Sequence, residues 1–190
     1  MLMPRRTPRL RSRLPWVAGQ AVVVALGVFC YFQVRGLTAA TPGVAFAHAR
    51  DVVAFEQGLR LDVEADVQAP FVSSASLQTL ANWVYIWGHW PVIIATMVWL
   101  ACLHRRQFLR LRDAMLVSGA IGLVVFVTYP LAPPRLVDAA LVDTVTESSH
   151  AYRVLQPPNF VNQYAAMPSL HAGWDLLVGI SIATAATWWG

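Results

Sequence analysis

Lysine is absent from this 190-residue chain, and Asp, Glu, Lys and Arg together supply only 13% of it. A soluble domain carries about a quarter charged residues. With 57% hydrophobic residues and a mean hydropathy of +0.51, the chain is neither an ordinary soluble enzyme nor a disordered one. Cysteine is nearly as scarce. Cys30 and Cys102 fall inside apolar runs and read as small hydrophobes, not as a disulfide or a metal pair. Internal repeats and low-complexity tracts are lacking too. All 14 basic residues are Arg, which suggests a GC-rich coding sequence and favours a bacterial source. The net charge of +4 raises nucleic acid as a partner. The Arg residues, however, sit at the ends of apolar runs and not along one face, so no nucleic-acid partner is expected.

What is abundant is long apolar sequence. A membrane helix needs about 20 apolar residues. Trp16 to Val34 is one candidate, a stretch within Ala81 to Leu103 a second, and Ala114 to Pro134, ending as helix near Pro130, a third. A fourth opens near His171 and runs to Gly190, with Asp175 as its one charge. The expected fold is an all-α polytopic membrane bundle of four transmembrane helices. Ala45 to Val67 adds a helix lying on the outer surface: Val52, Val53, Phe55, Leu59 and Val63 recur at helical spacing between acids. Packing is the expected task of that helix, with substrate gating as the alternative.

Arg placement orients the bundle. Arg5, Arg6, Arg9, Arg11 and Arg13 precede the first span, and Arg105, Arg106, Arg110 and Arg112 lie between the second and third. Both segments are expected in the cytoplasm. The regions from Arg35 to Leu80 and from Pro130 to Leu170 carry more acids than Arg and are expected outside. Residues 1–15 therefore read as a basic cytoplasmic N-terminus and 16–34 as an uncleaved anchor, longer than a secretion-signal core. The protein is expected to be a multi-pass protein of the plasma (inner) membrane, with both termini cytoplasmic.

Two polar clusters interrupt the apolar sequence, both on the outer face of this topology. One is Tyr129-Pro-Leu-Ala-Pro-Pro-Arg135, closing the third span; the other is Asn162-Gln-Tyr-Ala-Ala-Met-Pro-Ser-Leu-His171, opening the fourth. Arg135 offers a planar fork of donors suited to phosphate oxygens, after two prolines that restrict its backbone. Ser169 and His171 stand at a helix N-terminus, where free N–H groups and the positive dipole end favour anions. His171 titrates near neutral pH and can hand a proton to a leaving oxygen. Taken singly, each has an ordinary reading: a snorkelling Arg, a helix cap, a structural His. Together on one membrane face they describe a phosphate-handling site.

The string Ala165-Ala-Met-Pro-Ser-Leu-His-Ala-Gly-Trp174 resembles the second signature of the type 2 phosphatidic acid phosphatase superfamily. Leu170 before the His is similar to the inositolphosphotransferase branch, the inositol phosphorylceramide synthase-like proteins. Tyr129 to Arg135 resembles that branch's first signature, and Asn82, Tyr85, His89 and Pro91 resemble its Asn-x-x-Tyr-x-x-x-His-x-Pro pattern. The resemblance covers residues 45–190. It implies phosphotransfer at a phospholipid headgroup, phosphatidylinositol for example, with water or a lipid hydroxyl as acceptor. It implies His171 as general acid, Arg135 and Ser169 as the phosphate clamp, and no metal or organic cofactor. The implied partners are the bilayer and the lipid substrate.

Two departures stand out. Where the wider superfamily has a Lys seven residues before its Arg, this chain has Thr128. More seriously, the family's nucleophilic His and the Asp four residues beyond it have no counterpart after His171. A truncated, non-catalytic membrane fragment, or half of a split enzyme completed by a second chain, is therefore the alternative expectation. Other histidines offer weak substitutes. His150 is a loop residue and His48 lacks a sequence partner; His104 is at the cytoplasmic end. His89, roughly 12 Å into its span, is expected to face the protein interior and support the site. Asp175, four residues after His171, shares its helix face. Contact with His171 and pairing with Arg135 are both open to it. Tyr129 is a further supporting candidate.

Overall fold

The computed structural model describes residues 14–37, 42–138, 141–144 and 164–187. The basic stretch before residue 14, His150, and Asn162 lie outside them. The described chain is all-helical. Its helices are α1 (Leu14–Leu37), α2 (Pro42–Leu59), α3 (Glu64–Ser73), α4 (Ala75–Gly88), α5 (Trp90–Leu103), α6 (Arg105–Thr128) and α7 (Leu170–Ala186), with a 3₁₀ turn at Pro134–Leu136.

α4 and α5 form one membrane-length rod interrupted at His89, whose backbone angles (φ −80°, ψ −84°) leave the helical region. Pro91 explains the break. Its ring removes an N–H from the ladder and crowds the carbonyl one turn back. α6 runs straight through the Arg-rich stretch and ends at Tyr129, just before Pro130. The sequence predicts that Arg105, Arg106, Arg110 and Arg112 lie in a cytoplasmic loop between the second and third spans. Only His104 separates α5 from α6, because Arg, Leu and Gln are strong helix formers whose long stems allow the charges to reach out sideways.

Ala75–Leu103 and Arg105–Thr128 are long and apolar enough to cross a bilayer, with only 28% and 22% of their apolar windows buried. Their outward faces carry Trp83, Val84, Ile94, Val98, Ile121 and Val124, all exposed. Such faces demand lipid, not water. The four-span expectation is supported for these two. The apolar parts of α1 (Pro15–Tyr31) and α7 are shorter, at about 26 Å of rise against a hydrocarbon layer of about 30 Å.

α6 is the central helix, packed against α1, α5 and α7. Small residues permit the closest approach: a Cβ on Gly122 would lie 3.1 Å from Leu170, and one on Gly119 would lie 3.5 Å from Trp174. The core along this seam includes Ile93, Leu100, Phe108, Leu111 and Val178, all buried. At the Arg-rich end, Trp16 meets Phe108 edge-on at 5.5 Å and carries the Arg105 guanidinium 4.5 Å above its ring.

The expected surface helix over Ala45 to Val67 is two helices. α2 stops at Leu59, where Arg60 takes a left-handed conformation (φ 57°). Leu61 N–H donates to Glu56 O and Arg60 N–H to Gln57 O, the paired bonds that close a helix end. α2 is packed from Ala45 as far as Val52. Ala45 and Ala49, one turn apart, are buried against Leu131 and Ala132. Phe55 and Leu59 stay exposed.

Candidate functional site

The two polar clusters, far apart in sequence, lie side by side. Leu131 N–H donates to Tyr164 O (2.7 Å) and Ala166 N–H donates to Leu131 O (3.2 Å). The pairing of Leu131 with Ala165 is parallel. Both segments therefore leave it in the same direction, four residues before Arg135 on one and four before Ser169 on the other. α2 braces the first segment from behind: Ala132 N–H donates to Ala45 O (3.1 Å), and His48 Nδ1 donates to Pro130 O (2.9 Å). Tyr129 stacks on His48, with centroids 4.0 Å apart. It thus contributes to this brace. His48 showed no sequence signal beyond its place between Ala45 and Ala49.

Ser169 caps α7, its hydroxyl accepting from Ala172 N–H at 3.3 Å. The cap leaves the hydroxyl proton free to point outward from an exposed position. His171 follows in the first turn. It is sandwiched between Tyr85 (centroids 4.2 Å, 7° between planes) and His89 (3.7 Å, 18°).

His89 is 5% exposed. Its Nδ1 donates to Asp175 Oδ1 at 2.7 Å. A carboxylate only accepts, so Nδ1 carries the proton in this contact. The other carboxylate oxygen, Oδ2, stands 3.7 Å from His171 Nε2. Asp175 thus faces two imidazoles, tightly bonded to His89 and loosely paired with His171. Of the two contacts open to it in sequence, the structure has the one with His171, while its closest partner is His89. Trp174 fixes the next face. Its Nε1 donates to Ser118 Oγ (3.1 Å), and its ring packs edge-on to Trp90 at 6.0 Å.

Arg135 pairs with Asp143, Nε to Oδ2 at 2.7 Å. Sequence reasoning gave Asp143 no role. Its segment is held by side chains of α3 and α4, through Gln68 to Val142 and Asn82 to Thr144. Asn82, Tyr85 and His89 therefore touch the segment beside Arg135, His171 and Asp175 respectively. Their spacing of three and then four residues puts them on one face of α4, and that spacing was the available signal.

His89, His171 and Asp175 each bring a ligand atom within 4.8 Å of the others, the spacing of a possible metal set. The stacked imidazoles argue against shared chelation. Ring lone pairs lie in the ring planes, and nearly parallel planes do not meet at one ion. The arrangement is better suited to holding and delivering a proton beside a bound anion.

Searches of curated proteins and of solved structures give no match. A model of the PAP2 superfamily matches residues 50–189, from α2 through the paired motifs to α7. By that match, and in keeping with its two long lipid-facing helices, the chain is a membrane protein belonging to the PAP2 superfamily.

Proposed function

We propose that the chain handles the phosphate of a phospholipid headgroup at the extracytoplasmic membrane face, as a lipid phosphotransferase or phosphatase of the inositolphosphotransferase type. The parallel pairing of Leu131 with Ala165 carries this reading, because it sends Arg135 and Ser169 out along the same direction. The phosphate would rest at the N-terminus of α7, where free N–H groups attract an anion. The Ser169 hydroxyl donates to one oxygen, and the terminal nitrogens of Arg135 take others. As the oxygen of water or a lipid hydroxyl bonds to phosphorus and gives up its proton to solvent, the bond from phosphorus to the leaving oxygen breaks, and His171 gives that leaving oxygen its proton. Positioning and charge stabilisation supply most of the remaining rate enhancement in such chemistry. Asp175 is 46% exposed on its side chain. A carboxylate so placed belongs in a wet cleft open to the outer face, not against acyl chains.

A second reading is that the chain binds lipid phosphate without turning it over, or supplies half of a site completed by a second chain. One reconstitution experiment separates the two. Vesicles holding the protein and headgroup-labelled phosphatidylinositol are expected to release label, and release should fall at least 100-fold in Arg135→Lys, a cation without the planar fork. Binding of the lipid without release would select the second reading. Neither binding nor release would remove both.

A further inference from the structure

Asp143 has no place in the reading above, yet it is the partner of the residue that clamps the phosphate. Its Oδ2 takes the Nε edge of Arg135 at 2.7 Å. The Nη1 and Nη2 edge of the fork is the one that fits two oxygens of a tetrahedral anion end-on.

The carboxylate is held by the segment that carries it. Gln68 Nε2 donates to Val142 O (2.7 Å), and Gln68 Oε1 accepts from Val142 N–H (3.0 Å). Asn82 Nδ2 donates to Thr144 O (2.9 Å), and Thr144 Oγ1 donates to Asn82 Oδ1 (3.2 Å). Both neighbours of Asp143 are thus pinned, by amides from two helices. A carboxylate so fixed stays beside the guanidinium when an anion arrives. The charge that Arg135 brings is then already balanced, and a second negative charge on the phosphate meets the Asp143 carboxylate across the width of one guanidinium.

We propose that Asp143 sets the charge the site accepts, matching it to a singly charged phosphodiester and against a doubly charged phosphomonoester. The inference rests on Arg135 being the phosphate ligand. Asp143 acts through Arg135 and is a positioning residue. Its pair with Arg135 is partly exposed, with side chains 45% and 27% accessible, so water and salt moderate the effect.

The test is equilibrium binding of labelled dioctanoyl phosphatidylinositol and dioctanoyl phosphatidic acid to the detergent-solubilised full chain. At pH 8 the monoester carries close to two charges, since its second pKa lies near 6. Wild-type protein is expected to prefer the diester. Asp143→Asn should raise monoester affinity relative to diester roughly three- to tenfold, and Asp143→Glu should restore the preference. Gln68→Ala keeps the carboxylate but frees its segment, and should shift the ratio the same way by less. It serves if Asp143→Asn fails to fold. A wild-type preference for the monoester, or a ratio unchanged while both affinities fall together, overturns the proposal. Wild-type protein that binds neither lipid overturns the phosphate-site reading itself, and this inference with it.

Discussion

His171 is held between two aromatic faces, Tyr85 on one side and His89 on the other. Its ring plane is thus set before any substrate arrives, which is what a proton donor at a fixed leaving group requires. His171→Ala should leave the protein folded in the membrane and lower headgroup release by about 10² to 10⁴-fold, the usual worth of one general acid. Measuring release alongside membrane yield checks it, and unchanged release would remove His171 from the chemistry. A second residue-scale prediction concerns Arg60. A non-glycine residue in the left-handed region costs about 1 kcal/mol. Arg60→Gly should therefore raise the detergent melting temperature by a few degrees and leave lipid binding unaltered.

At the scale of elements, the break at His89 and the seam between α6 and α7 shape the site. Pro91 ends α4 early enough that His89 can meet Asp175 on α7. Across the seam, Gly122 leaves room for Leu170, which lies between Ser169 and His171. Gly122→Leu should push the start of α7 off α6 and cost about 1–3 kcal/mol, with loss of lipid binding. Gly119→Ala adds only an ordinary contact with Trp174 and should lie within about 0.5 kcal/mol of wild type. Thermal unfolding of the two variants in one detergent gives the comparison. Equal cost at both positions would mean that the two helices do not pack through these glycines.

The whole molecule has to place its site on one side of a bilayer. Arg105, Arg106, Arg110 and Arg112 gather on the first two turns of α6, and the positive-inside tendency assigns that end to the cytoplasm. On the proposed reading, the start of α4, one membrane-length rod away, is expected to face outward with the paired motifs. In a protein with Cys30 and Cys102 replaced by Ser, Ser76→Cys should react with an impermeant thiol reagent added to intact cells. Arg106→Cys should react only after permeabilisation. The reverse pattern would put the site in the cytoplasm.

Much of this was legible in the chain itself. Apolar runs scarce in charge dictated helices and lipid, since an unpaired backbone is costly in hydrocarbon. Pro130 predicted the end of α6. Asn82, Tyr85, His89 and Pro91 were legible as a resemblance to a family pattern, not as one face of a helix. The chemistry of Arg135, Ser169 and His171 suggested the phosphate site proposed above. The boundaries at Arg105 and Arg60 were less legible, because local helix propensity and a left-handed cap leave little trace in hydrophobic periodicity. Apart from the contact of Asp175 with His171 one turn away, the partners were not legible. That Asp175 holds His89, that Asp143 holds Arg135, and that Ala45 and His48 brace the loop after α6 follow from which helix faces meet. Those contacts join residues dozens of positions apart, and only side-chain packing among α2, α4, α6 and α7 selects them from the many pairings that charge and polarity alone would allow.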